Sequence, residues 1–181
     1  MTHGTVQPEP FDFPLDGPVE GQLEIVRVRY DDPAHATALV DLLDAYARDP
    51  AGGGKPLSDF ARAHLISQLA ARPFVFSVLA FDGITPVGLV NAIEGFSTFA
   101  CRPLINVHDV VVASSHRGRG IAVAMFAEVD AIARERGACK LTLEVLSGNR
   151  AARSLYEKLG FDDYRLDPSM GHAQFMQKWL D

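Results

Sequence analysis

The chain has 181 residues, 48% of them hydrophobic and 22% charged, with a formal net charge of −6. That length and balance fit one soluble globular domain with a sizeable core, and the acidic charge argues against a nucleic-acid partner, which needs a basic face, while favouring cationic small partners over polyanions. No apolar run is long enough to span a bilayer and no basic, then apolar leader opens the chain, so an unexported cytoplasmic protein with no membrane partner is expected.

Residues 1–20 are rich in Pro, Gly and acidic side chains, with Phe11 and Phe13 the large apolar exceptions, and read as an irregular tail. Gln22–Tyr30 alternates apolar and charged residues as a first strand. Asp32-Pro33 is an N-cap and first-turn pair, and Leu39, Leu42, Leu43 and Tyr46 recur at helical spacing, which predicts a helix ending near Asp49-Pro50. The glycine-rich stretch from Ala51 to Pro56 connects to a second helix capped by Ser58, with Phe60, His64, Leu65 and Leu69 expected on one side. Its bland reading is a joining loop; the functional one is a mobile flap.

Pro73–Phe81 and Pro86–Phe99 read as strands joined by an Asp82-Gly83-Ile84-Thr85 hairpin turn, and Leu104–Val112 as a central strand. A helix over Gly120–Arg136 carries the core stripe Ile121, Met125, Val129 and Ile132 and closes at Gly137. A strand at Cys139–Leu146, a helix at Asn149–Leu159 capped by Gly160, and short strands near Phe161–Arg165 and His172–Trp179 complete the order. Cys101 and Cys139 show neither metal-ligand spacing nor a disulfide framework, and free thiols are expected.

The stretch Val107–Ala122, VHDVVVASSHRGRGIA, runs from a β-branched strand through a polar turn into a helix. Glycines bring backbone N–H groups close to a ligand, and the helix start adds unpaired donors and a positive dipole end, so a phosphate or pyrophosphate is the natural occupant. The loop lacks the Gly-Lys-Ser/Thr ending of a P-loop and the third glycine of a dinucleotide fold.

Arg117-x-x-Gly120-x-Ala122 after a hydrophobic strand resembles the acetyl-CoA signature of the GCN5-related N-acetyltransferases (GNAT). The second half of that family's pattern follows at the expected distance: strand Lys140–Leu146, Asn149-x-x-Ala152-x-x-Leu155-Tyr156, then Gly160-Phe161. The resemblance implies an α/β (α+β) single domain over residues 21–181, with a mixed, mostly antiparallel central sheet flanked by helices. It further implies an acetyl-CoA-dependent N-acetyltransferase acting on a small-molecule or peptide amine by direct attack in a ternary complex. No metal is implied, and a homodimer is left open. A non-catalytic CoA-binding sensor and a transferase of larger acyl groups are the alternatives.

Each task of such an enzyme has candidates. Backbone groups of Val110, Val111 and Val112 can pair with the pantetheine arm as an added strand would, while their side chains serve the core. Backbone N–H groups of Arg117, Gly118, Arg119, Gly120, Ile121 and Ala122 suit the pyrophosphate, with both arginines adding charge. Asn149 is placed as a helix N-cap, and by resemblance also contacts the pantetheine arm. Tyr156 is by resemblance the proton donor to the departing sulfur, against a plain packing role. For the base, Glu144 precedes Tyr156 at the spacing of the glutamate in enzymes acetylating ribosomal-protein N-termini, and His108-Asp109 stands where polyamine and amino-sugar acetyltransferases carry Glu-Asp. His108 departs from those families, but a neutral imidazole accepts a proton near pH 7. No further ligands cluster with His108 and Asp109, which argues against a metal there. Neither cysteine lies beside a base, which argues against a covalent intermediate.

Overall fold

The computed structural model describes residues 22–164, 167, 169, 171 and 173–180. The tail expected over residues 1–20 lies outside them. Five strands form one sheet in sequential order: β1 (Leu23–Arg27), β2 (Val75–Asp82), β3 (Thr85–Ser97), β4 (Arg102–Val112) and β5 (Leu141–Leu143). The first three pairings are antiparallel and β4–β5 is parallel. The sheet is therefore mixed and mostly antiparallel, as expected. No helix of the described residues is long and apolar enough to cross a membrane.

Helices α1 (Pro33–Arg48) and α2 (Asp59–Ala70) precede the central strands, and α3 (Ile121–Glu135) and α4 (Arg150–Lys158) follow β4 and β5. The Asp32 side chain accepts from the Ala34 and His35 N–H groups, Ser58 from Ala61 and Asn149 from Ala152, so three helix starts are capped by side chains read from the sequence. Gly137 and Gly160, with φ of 69° and 88°, take the left-handed positions that end α3 and α4.

The sheet is buried on both faces. One face packs Val78, Val90, Ile105 and Val107 against Ile121, Met125, Val129 and Ile132 of α3 and Tyr156 of α4. The other packs Leu79, Leu89 and Val111 against Ala38, Leu39 and Leu42 of α1, with Leu65, Ile66 and Leu69 of α2 behind. At about 1.5–3 kcal/mol for each fully buried large aliphatic side chain, these two layers are the main stabilising term. Gly88 lets α3 approach closely, since a Cβ there would lie 2.9 Å from the Met125 sulfur. Arg27 of β1 donates 2.7 Å hydrogen bonds to both carboxylate oxygens of Glu135 on α3.

Four expectations are corrected. Phe60 and His64 do not join the core side of α2: Phe60 is exposed and its ring stacks on His64 at 4.3 Å, because the inward stripe is Leu65, Ile66 and Leu69. The strand expected over 139–146 is only three residues, Leu141–Leu143, and the chain leaves the sheet before Glu144. Residues 161–164 form no strand; Phe161 instead turns in after the Gly160 cap, its ring edge-on to Phe126 and Tyr156 at 5.8 and 5.9 Å. Residues 173–180 form no strand either, and Phe175, Met176, Trp179 and Leu180 are exposed there. Arg165 and His172, the far limits of those two expected strands, lie outside the described residues.

One irregularity sets up the site. Along β3–β4, Asn91 pairs with Asp109 but Ala92 pairs with Val107, so His108 is an extra, bulged residue. The bulge inverts the alternation of β4. Val107 belongs to the α3 face, whereas Val111 belongs to the α1 face and Asp109 bonds the Asn91 side chain beside it. Without the bulge, residues 107, 109 and 111 would share one face.

Candidate active site

The loop after β4 passes through a short 3-10 turn, Ser114–His116, and then two left-handed glycines, Gly118 at φ 78° and Gly120 at φ 75°. Gly120 is the N-cap of α3, and with no side chain it leaves the helix start uncapped. The first N–H groups of a helix have no intrahelical partner, so this end presents donors and the positive end of the helix dipole. Arg117 reaches back across the loop, donating from Nε to the Val112 carbonyl at 3.2 Å and pairing through Nη2 with Asp49 at 3.5 Å. That pair ties the loop to the turn after α1, although both partners are more than a third exposed, and such a pair contributes little, about 0–1 kcal/mol. Arg119 is half-buried. Beside the loop, Val123 of α3 and Ala151, Ser154, Leu155, Lys158 and Leu159 of α4 line a cavity of about 370 Å³.

The two strands flanking β4 cover it unequally. β3 pairs along Arg102–Val112, but β5 pairs only over Ile105–Val107. Past Val107 the β5-side edge of β4 is open, and Val110, Val111 and Val112 lie on it, leading into the uncapped start of α3. Their side chains do serve the core, Val110 and Val112 toward α3 and Val111 toward α1. An extended molecule carrying amide groups can lie along such an edge as an added strand.

The three residues expected to move protons come from different elements: Tyr156 from α4, Glu144 from the chain just past β5 and His108 from the β4 bulge. Tyr156 is 9% exposed, its ring set edge-on to Phe126 at 5.7 Å, so α4 holds it rigidly. Burial pushes its hydroxyl above the usual tyrosine range, and the nearby Tyr46 adds to that shift. Tyr46, near the end of α1, is pushed up as well, by burial and then by the charges of Asp109 and Asp49. The Asp109 charge on β4 thus bears on Tyr46 of α1, and Tyr46 in turn on Tyr156 of α4. Glu144 lies just past β5, exposed, its carboxylate accepting from Asn106 Nδ2 at 3.2 and 3.4 Å. His108 is exposed on the bulge, next to Asp109. Asn149 is spent, through Oδ1, on the Ala152 N–H at 3.2 Å.

Asp109 rests on a row of side chains crossing the sheet. Asn91 Nδ2 donates to Asp109 Oδ2 at 3.0 Å, Ser77 Oγ donates to Asn91 Oδ1 at 2.6 Å, and Tyr30 Oη lies 3.0 Å from Ser77 Oγ. Sequence reasoning passed over Tyr46, Asn91 and Ser77. A signal existed for the last two, each being a lone polar residue inside an otherwise apolar strand run, VFSVLAF and VGLVNAI. Tyr46 carried none, since it continued the core stripe of α1. Among the described residues no group of three or more His, Cys, Asp or Glu side chains is placed to hold a metal ion.

Residues 37–161 match the family model described as the acetyltransferase (GNAT) family. An uncharacterized N-acetyltransferase, YobR, of Bacillus subtilis (strain 168) is 29% identical over 98 residues, 54% of this chain and 36% of that protein. Streptothricin acetyltransferase of Streptomyces lavendulae is 34% identical over 87 residues, 46% of each chain. The matched stretch thus spans less than half the length of these curated relatives. Among solved structures, a probable acetyltransferase superposes with a TM-score of 0.72 at 19% identity, covering 87% of this chain and 99% of its own, a likeness of fold.

Proposed function

Because this chain belongs to the acetyltransferase (GNAT) family, we propose that it transfers an acetyl group from acetyl-CoA to a primary amine, by direct attack of the amine within a ternary complex. The observation that carries the proposal is the open β5-side edge of β4 running into the uncapped, glycine-started α3. An amide-bearing arm lies along Val110–Val112. The backbone N–H groups of Arg117–Ala122 receive a pyrophosphate, with Arg117 and Arg119 contributing charge, and Asn149 stands beside the arm. The cosubstrate supplies an activated thioester; everything else falls to the chain's own residues.

The attacking nitrogen needs a free lone pair, so an ammonium must first lose a proton. His108 and Glu144 are the groups proposed to take it, either directly or through water. As nitrogen bonds to the carbonyl carbon and the carbon–sulfur bond breaks, negative charge passes to sulfur. Tyr156 then donates its hydroxyl proton to that sulfur, and the phenolate left behind regains a proton, directly or through water, from the new amide nitrogen, which must lose one. The raised pKa of Tyr156 keeps the hydroxyl protonated at neutral pH, and burial removes competing water. The reaction is placed in the cytoplasm.

The test is release of free thiol from acetyl-CoA in the presence of a polyamine, an aminoglycoside and a peptide with a free N-terminal alanine. Amine-dependent release, with acetyl appearing on the amine, is expected. CoA binding without release for any amine would leave a non-catalytic sensor, and faster release from a longer acyl-CoA would make this a transferase of larger acyl groups. A folded chain that does not bind CoA would overturn the proposal.

A further inference from the structure

The glycine loop between β4 and α3 carries little of its own to hold its shape. Gly120 leaves the start of α3 without a side-chain cap, and a Cβ at Gly118 would meet nothing within 4 Å. The far end of the loop is fixed by Ile121, which is buried against the sheet. At the near end Ser114, Ser115, Arg117 and Gly118 are exposed, and His116 is the residue turned inward. Its Nε2 lies 3.4 Å from Oδ2 of Asp82, the last residue of β2, and the two side chains are only 19% and 15% exposed. Arg117 makes a second tie, to Asp49, but that pair is far more exposed, and Arg117 is the side chain that must turn to a phosphate.

The orientation of the His116 ring is set from its other side. Ser115 Oγ lies 2.8 Å from His116 Nδ1. A serine hydroxyl donates to the bare Nδ1 of a neutral ring and accepts from the N–H of a protonated one, so in both states Nε2 carries the hydrogen that faces Asp82. The remaining tautomer would set the Nε2 lone pair against a carboxylate and is disfavoured. Asp82 has no competing cation, since no lysine or arginine of the described residues pairs with it. The backbone holds the same turn to the same hairpin: the Ala113 N–H donates to the Val87 carbonyl of β3 at 2.9 Å, and the His116 N–H to the Ala113 carbonyl at 2.8 Å. The entry to the glycine loop is thus fastened to β2 by a side chain and to β3 by main chain.

We propose that Asp82 is a positioning residue for the cosubstrate: acting through His116, whose ring Ser115 orients, it fixes the near end of the glycine loop so that the N–H groups of Arg117–Ala122 are aimed before CoA arrives. This rests on the acetyl-CoA reading and adds to it a residue from a hairpin that otherwise takes no part in the site. Glycine has the most backbone freedom to lose, so a loop with two of them loses affinity to its own ordering unless something outside it holds the shape. Asp82 touches no reacting atom, and its effect falls on affinity for the cosubstrate and not on the chemical step.

Isothermal titration of CoA into the wild type, Asp82→Ala, His116→Ala, His116→Gln and the double variant Asp82→Ala/His116→Ala tests the assignment. Removing an anion near an anion-binding loop would by charge alone tighten CoA binding, so the sign of the change decides. Asp82→Ala and His116→Ala each weaken CoA about 5- to 10-fold, and the double variant is no weaker than the worse single one. His116→Gln, whose amide nitrogen reaches where Nε2 stands, keeps most of the affinity. With an acetylated amine in hand, KM for acetyl-CoA rises by the same factor in Asp82→Ala, while kcat and KM for the amine hold. Asp32→Ala, which removes the cap of α1, lowers the melting temperature without moving CoA affinity, and so separates general destabilisation from loss of the tie. CoA bound by a folded Asp82→Ala as tightly as by the wild type, or more tightly, overturns the proposal, and additive losses in the double variant overturn the route through His116. Amide hydrogen exchange of the ligand-free proteins judges the tie separately: it quickens over residues 114–120 in Asp82→Ala, and unchanged exchange there overturns the tie. Failure of the wild type to bind CoA counts against the acetyl-transfer reading and removes the cosubstrate role, whatever the exchange shows of the tie itself.

Discussion

Gly120 is where the cofactor site can be tested most directly. It holds φ at 75° as the N-cap of α3, and a β-branched side chain there both strains the backbone and enters the space in front of the helix's free N–H groups. Left-handed backbone costs an L-residue about 1–2 kcal/mol, and for a chain of this length each kcal/mol shifts the melting temperature by about 2–4 °C, so Gly120→Val should melt about 2–8 °C lower. CoA at about 100 times its dissociation constant stabilises the wild type by about 2.7 kcal/mol, a rise of about 5–11 °C. In Gly120→Val that rise should vanish. The control is Gly137→Ala at the other end of α3, where φ is 69° and a Cβ meets nothing within 4 Å, so strain is imposed far from the loop. That variant should melt lower yet keep the full response to CoA, and neither protein should respond to ATP. A folded Gly120→Val that keeps the CoA response would refute the placement of the pyrophosphate on this loop.

Tyr156→Phe keeps the ring packed on Phe126 and Phe161, so turnover with an identified amine should drop about 10²-fold while CoA affinity holds; full turnover would remove the proton-donor role. Since the Tyr156 pKa is raised, wild-type turnover should show no alkaline loss from this group below about pH 10, which a pH–rate profile reads. Asp49→Asn releases Arg117 from its ion pair and removes an anion facing the loop, so CoA should bind up to about 5-fold tighter by titration, the limit set by an exposed pair. Burial acts to raise the Asp44 pKa, but hydrogen bonds from Arg48, the Leu57 N–H and Arg62 outweigh it and hold the carboxyl below the usual range. A depressed folded pKa means this contribution is present above about pH 4 and is lost as pH falls through the folded value. Melting temperatures followed from pH 6 to pH 3 should therefore fall less steeply in Asp44→Asn than in the wild type.

The parts of the fold legible in the sequence are those set by local physics. Asp32-Pro33, Ser58 and Asn149 announced helix starts because a side-chain oxygen two or three residues ahead of free N–H groups is a local device. The stripe Ile121, Met125, Val129 and Ile132 announced the buried face of α3 because its period needs no knowledge of the partner. The long β5 was overread for the opposite reason. Leu143, Val145 and Leu146 look like strand residues, but pairing depends on a neighbour, and the pairing with β4 stops at Val107, just before its bulge, leaving Val145 and Leu146 37% and 63% exposed. The same dependence defeated the strand expected at 161–165: Phe161 is as good a core residue as a strand residue, and the aromatic cluster with Phe126 and Tyr156 claimed it.

The site divides along the same line. The half proposed to hold CoA is contiguous, β4 into loop into α3, and glycine spacing there is a direct statement about backbone shape, so residues 110–122 could be read as one unit. The polar row that ends on Asp109 is instead assembled across the sheet. Ser77, Asn91 and Asp109 come from β2, β3 and β4, and what joins them is register: Ser77 opposite Asn91, and Asn91 opposite Asp109. Register between non-adjacent segments leaves no periodic trace, and a one-residue bulge reverses which face every later side chain takes. Strict alternation from Val107 would have put Asp109 under α3 in the apolar core, where a carboxylate is too costly to leave unpaired. A charged residue in the middle of INVHDVVV, at a parity that buries it, was the one local sign that the strand must break step there, and His108, the larger and more polar of its neighbours, is the residue the bulge turns outward.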